Sequence, residues 1–75
     1  PIQIIEAIKS KLATLDKREV YIHVHPFLEA YITKGYFKSI KKTWQSELHK
    51  KLVVVPRDAY TMLEWKVKDR ENKTL

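Results

Sequence analysis

The chain has 75 residues, a length that suits one small domain and excludes a large multidomain machine. It has no cysteine, which excludes disulfides and thiolate metal sites and fits a reducing, cytoplasmic setting. The net charge of +6 is unevenly placed, with five bases and four acids in residues 1–35 but ten bases and five acids in 36–75. A basic half attracts polyanions, of which RNA is the usual one. No apolar run approaches the roughly 20 residues of a membrane span, and no signal peptide opens the chain. Pro1 in place of an initiator Met predicts a piece cut from a longer protein.

Residues 2–15 read as a helix, because Ile2, Ile5, Ile8, Leu12 and Leu15 recur every three or four positions. Asp16-Lys17-Arg18 is a polar break. Residues 19–25 alternate as a half-buried strand, with Val20, Ile22 and Val24 on one face and Tyr21, His23 and His25 on the other. Pro26 suits the first turn of a helix over 26–34, and Gly35, the only glycine, suits its left-handed end. A second helix is expected within 36–49, with Phe37, Ile40, Trp44 and Leu48 along one side and Ser39 as an early helical residue or the N-cap.

Leu52-Val53-Val54-Val55 suits a central strand covered on both faces and stopped by Pro56. Residues 62–68 alternate again, with Leu63, Trp65 and Val67 on one face. The polar tail 69–75 is expected to fray. The order α-β-α-α-β-β predicts an α+β, two-layer domain over 1–68, built on a three-stranded mixed sheet with about three helices. The long helical link between the first two strands favours a parallel, right-handed crossover. The short link between the last two strands makes them antiparallel.

Candidate chemistry is sparse. His23 and His25, two apart on a strand, would share a face, with His49 as a distant third imidazole. A structural zinc site wants four ligands, commonly thiolates, so no metal site is expected. Hydrolysis of phosphodiesters usually needs clustered carboxylates around a divalent metal, and the nine acids here are scattered. Gly35 stands alone, so no glycine-rich phosphate loop exists. No catalytic residue and no cofactor is expected in this chain.

Two surfaces remain. Lys38, Lys41, Lys42, Lys50 and Lys51, with Tyr36, Phe37 and Trp44 interleaved, could bind phosphates and stack bases. Tyr21, His23, His25 and Tyr60 are expected at an interface, since aromatics are enriched in interface cores.

The run Glu19-Val20-Tyr21-Ile22-His23-Val24-His25-Pro26-Phe27-Leu28-Glu29-Ala30-Tyr31-Ile32-Thr33-Lys34-Gly35 resembles the segment near the C-terminus of ribonuclease G. There a strand ending in Val-His-Pro-aromatic is followed by Ala-Tyr-Leu-Thr-Lys-Gly. Ile40-Lys41-Lys42-Thr43-Trp44 resembles the basic helix that follows, and Val55-Pro56-Arg57-Asp58-Ala59-Tyr60 the family's Ile-Pro-Arg-Asp-Ala-Tyr turn. Ile4-Ile5-Glu6-Ala7-Ile8 is similar to the opening helix of the small domain in ribonuclease E. His23 and His25 stand where ribonuclease E is more apolar, so the strand's open face is expected to meet something different.

The resemblance spans residues 2–68 and implies the noncatalytic C-terminal domain of a ribonuclease G/E-type endoribonuclease. It implies a homo-oligomer that cleaves single-stranded RNA in rRNA processing and mRNA turnover. Magnesium-binding aspartates and a paired-cysteine zinc link would lie elsewhere in the parent. This domain would serve subunit assembly, in contact with the rest of the ribonuclease. The alternative is a small basic RNA-binding module using the lysine-rich helix 36–51.

Overall fold

The structure, a computed structural model, describes residues 2–35 and 39–75. Three helices and three strands follow in the order α1 (Ile2–Ala13), β1 (Glu19–Val24), α2 (Pro26–Thr33), α3 (Ile40–Leu48), β2 (Lys51–Pro56) and β3 (Trp65–Lys68). The class and the element order are those the sequence predicts.

β1 is the central strand, in a sheet of order β2-β1-β3. It runs parallel to β2, with Val20 opposite Leu52 and Ile22 opposite Val54. It runs antiparallel to β3, with Ile22 opposite Val67 and Val24 opposite Trp65. Because side chains alternate along a strand, these pairs place Val20, Ile22, Val24, Leu52 and Val67 on one face. All five are buried, in one cluster with Ile8 and Leu12 of α1, Leu28 and Ile32 of α2, and Trp44 of α3. The helices therefore share one side of the sheet. α2 packs chiefly on β2, α1 on β3, and α3 reaches α2, α1 and β2.

Local signals set the helix ends. Pro26 opens α2, where its missing N–H has no partner to lose. The His25 side chain caps that helix, its Nδ1 accepting from the Phe27 N–H at 3.0 Å. Gly35 follows with φ 108°, a backbone conformation open to glycine and costly for other residues. Ser39 is the N-cap of α3, its Oγ accepting from the Lys42 N–H at 3.1 Å. The helix expected within 36–49 thus spans Ile40–Leu48, and Tyr36, Phe37 and Lys38 lie outside the described residues.

Four expectations are corrected. β2 is an edge strand rather than the central one, and its Val53 and Val55 are half-buried on the helix-free side. Edge strands avoid open-ended pairing with charge and proline, and here Lys51 and Pro56 bound the strand. β2 and β3 run in opposite directions, as the sequence predicts, with β1 between them. Their link must pass over the end of β1, which takes residues 62–64 into turns and leaves Leu63 exposed.

The tail is also tied down instead of frayed. The Asp69 carboxylate accepts from the N–H groups of Glu71 and Lys73, both at 2.9 Å. Thr74 bridges Lys68, the Leu75 N–H donates to Val67 O, and the Leu75 side chain packs on the core. Finally, Ile2 is largely exposed, since the buried stripe of α1 runs through Ile8 and Leu12, with Ile4, Ile5 and Leu15 against it.

Ile22 sits in the middle of the middle strand with no exposed surface. The Ile22→Ala change should cost about 2–5 kcal/mol through lost burial and an unfilled cavity. In a domain this small that is most of the stability. Urea denaturation followed by Trp fluorescence should show a large drop in the midpoint.

Candidate nucleic-acid interface on the open sheet face

The second face of the sheet carries no helix among the described residues. On it, Glu19 stands opposite Lys51, Tyr21 between Val53 and Lys68, and His23 between Val55 and Lys66. Directly opposed side chains in a sheet are near neighbours, so these residues form one surface. Its middle is aromatic and apolar, and its margins are cationic. Arg57 extends β2 and ties its N–H to Val24 O at 2.7 Å. Lys66 Nζ sits 5.7 Å above the centroid of the Tyr60 ring, which brings Tyr60 to the edge of the same surface.

At one end of this face the acid is already matched. The Glu19 carboxylate accepts from Arg70 Nε at 3.0 Å and from the Tyr21 hydroxyl at 3.2 Å, with Lys51 Nζ 3.5 Å away. Partial burial pushes the Glu19 carboxyl up, but the Arg70 hydrogen bond and charge, the Tyr21 bond and the Lys51 charge outweigh it and hold the group below its usual range. The remaining positive charge is less compensated. Lys66 has only a loose pair, 4.0 Å from Glu64. No carboxylate of the described residues lies within ion-pair distance of Lys68 or Arg57.

His23 is the unexpected member. The sequence places it on an exposed polar strand face, yet it is only 7% exposed. Its Nδ1 is buried and finds no hydrogen-bond partner among the described residues. Burial first, then the charges of Lys68, Arg57 and Lys66, hold its imidazole below the usual histidine range. An imidazole kept neutral beneath three cations, with an unmet polar atom, is costly as a purely structural arrangement.

The other anticipated site residues scatter. β1 ends at Val24, so His25 leaves the strand face and serves as the α2 cap. His23 and His25 thus do not form a ligand pair. His49 is the left-handed cap of α3, φ 53°. No group of three His, Asp or Glu side chains could hold a metal ion among the described residues. Tyr21 and Tyr60 are half-buried.

The lysine helix is altered most. Trp44, expected among its stacking aromatics, is buried in the core. Lys50 is engaged in holding the chain together, its Nζ donating to the carbonyls of Leu15 and Lys17. Lys51 belongs to the sheet, beside Glu19. Lys41 is half-buried and Lys42 exposed on α3. Lys66, Lys68 and Arg57 stand with Tyr21 and His23 on the open face and are not among the site residues the sequence singles out. The alternation of 62–68 already put Lys66 and Lys68 on one side, but only the strand order shows that this side is shared with Tyr21 and His23.

Comparison of the chain with family models, with curated proteins and with solved structures gives no match.

The pH dependence of stability follows from these directions. His23 binds its proton less readily when folded than at its ordinary 6.5. Below about that pH the unfolded chain takes up more protons, so stability falls as pH falls and levels off below the folded value. Wild type should lose thermal stability between pH 7 and 5, and His23→Gln should lose less over that window. Glu19 and Asp69, both held below their usual range, add a second loss at more acidic pH. Melting curves of the two proteins at matched pH would check the difference.

Proposed function

We propose that this chain is the noncatalytic C-terminal domain of a ribonuclease G/E-type endoribonuclease, and that it serves subunit assembly there. One observation carries the reading. The two stretches on which the resemblance rests most, around His25-Pro26-Phe27 and around Pro56-Arg57-Asp58-Ala59-Tyr60, come together at one end of the sheet. The Arg57 N–H bond to Val24 O locks them. The Val-His-Pro sequence has a physical role in the turn, with His25 as cap and Pro26 as first helical residue.

Exposed large apolar side chains stand in the two segments that adjoin this end, α2 and the link before β3. Phe27 is 56% exposed at the start of α2, with Tyr31 one turn further on. Leu63, 75% exposed, and Met62 lie in the link that crosses there. So much exposed apolar surface on so small a domain suits burial against another protein. On this reading cleavage of single-stranded RNA, with its magnesium and any zinc link, belongs to other parts of the parent, in the cytoplasm. No helix of the described residues is long and apolar enough to cross a membrane. RNA contact through the α3 lysines has less support, because Trp44 is core and Lys50 is occupied by carbonyls.

Sedimentation velocity over a wide concentration range tests the assembly role. A dimer or larger species is expected at high concentration. The exposed pair Phe27→Glu and Leu63→Glu should each weaken association roughly tenfold or more, as interface anchors do, while circular dichroism stays native. A monomer throughout the range would sink the assembly role.

A further inference from the structure

We infer that the open sheet face, centred on Tyr21 and His23 and flanked by Tyr60, Arg57, Lys66 and Lys68, is a binding surface for single-stranded RNA. The choice of RNA over other polyanions rests on the ribonuclease reading above. The site itself rests on geometry and charge.

Three observations converge on it. First, the aromatic and apolar residues form a grid fixed by strand register, Tyr21 between Val53 and Lys68, His23 between Val55 and Lys66. A rigid strand holds these rings without the ordering cost a loop would carry. Second, the cations border that grid instead of interrupting it, and Lys68 and Arg57 carry charge that no described carboxylate within ion-pair distance matches. A backbone of phosphates could follow the cations while bases lie on the half-buried Tyr21 and Tyr60 rings. Third, His23 is more than nine-tenths buried and its Nδ1 lacks a partner among the described residues. That nitrogen has almost no exposed surface, so a polar group would reach it only once the side chains over it move aside.

Charge also decides between occupants. A second copy of this chain docked face to face would bring the cation cluster of each copy onto the face of the other, and like charges at an interface oppose association. A flat protein surface would need matching acids. A single strand supplies both the negative charge and the flat rings. A duplex keeps its bases stacked inside and offers only phosphates, so unpaired RNA is the favoured form.

The test is fluorescence anisotropy of a labelled, unstructured 16-nucleotide RNA, on the order of the upper site size of a small single-strand binding fold, titrated with the 75-residue chain at several salt concentrations. The logarithm of the affinity should fall with log salt by about 0.7 per phosphate contacted. Lys68→Ala and Arg57→Ala should each reduce that slope by about 0.7, while Lys34→Ala and Lys41→Ala leave it unchanged. Tyr21→Ala should weaken binding roughly 5- to 150-fold, the loss of one stacked base. Tyr21→Phe, which keeps the ring, should bind like wild type and guards against a folding artefact. The ring titration of His23, followed by NMR, should move to higher pH with RNA bound, because phosphates offset the three nearby cations.

Slopes that respond to Lys41 and not to Lys68 or Arg57 would overturn the inference. So would displacement of the RNA by oligoglutamate of equal charge at equal concentration, which would mean that the face reads charge alone. Absence of RNA binding alongside intact self-association overturns this inference and spares the assembly role. RNA binding by a strict monomer does the reverse.

Discussion

β1 is hydrogen-bonded along both edges, parallel to β2 and antiparallel to β3, and this double pairing fixes which way every side chain of the strand points. Val20, Ile22 and Val24 go to the helices, and Tyr21 and His23 go to the other side. A one-residue slip would exchange the two sets and bury polar groups in the core. The placement of the helices follows from that commitment. α1, α2 and α3 all find their apolar partners on the side of Val20, Ile22 and Val24, and the side of Tyr21 and His23 is left without a helical cover among the described residues.

The open face is therefore a consequence of the core rather than an independent feature. A domain of 75 residues has few elements to spare, and one sheet face is the surface it leaves over. What stands on that face is unlike ordinary solvent-facing strand. Ordinary open faces carry small or charged residues whose polar atoms meet water. Here two half-buried valines, a tyrosine and a buried imidazole lie among lysines and arginines. Glu19, at one end of the face, is clamped by Arg70, Lys51 and the Tyr21 hydroxyl, so it does little to lower the field near Lys68 and Arg57, and Glu64 reaches only Lys66, at 4.0 Å. The exposed apolar set of Phe27, Met62 and Leu63 belongs to the segments that adjoin one end of the sheet, which leaves the domain room for a protein contact and a nucleic-acid contact on different surfaces.

Much of this was legible in local sequence. The helical spacing of the isoleucines, the alternation of 19–24, Pro26, Ser39 and Gly35 each carry their own physical reason, and the structure uses them as expected. The failures share a different cause. Leu52 to Val55 looked doubly buried because apolar composition is the same for an edge valine on an aromatic face as for a core valine. Leu63 matched a period of two, yet topology needed it for a crossing. Asp69 fastens a tail whose composition alone reads as loose. The lysine-rich stretch 36–51 reads as one surface in the sequence because sequence proximity stands in for spatial proximity. Trp44 and Lys50 are drawn inward by packing, while Lys66 and Lys68, far along the chain, arrive beside Tyr21 through β3 pairing.

The open face of β1 is the proposed RNA-binding surface of the domain. The most direct measurement is a nitrogen-15 NMR map of the chain as unstructured RNA is added. Shifts concentrated at Tyr21, His23, Val53, Val55, Lys66 and Lys68, with the α1 helix silent, are the predicted result. Shifts confined to α3 around Lys41 and Lys42, or none anywhere at low salt, would contradict it.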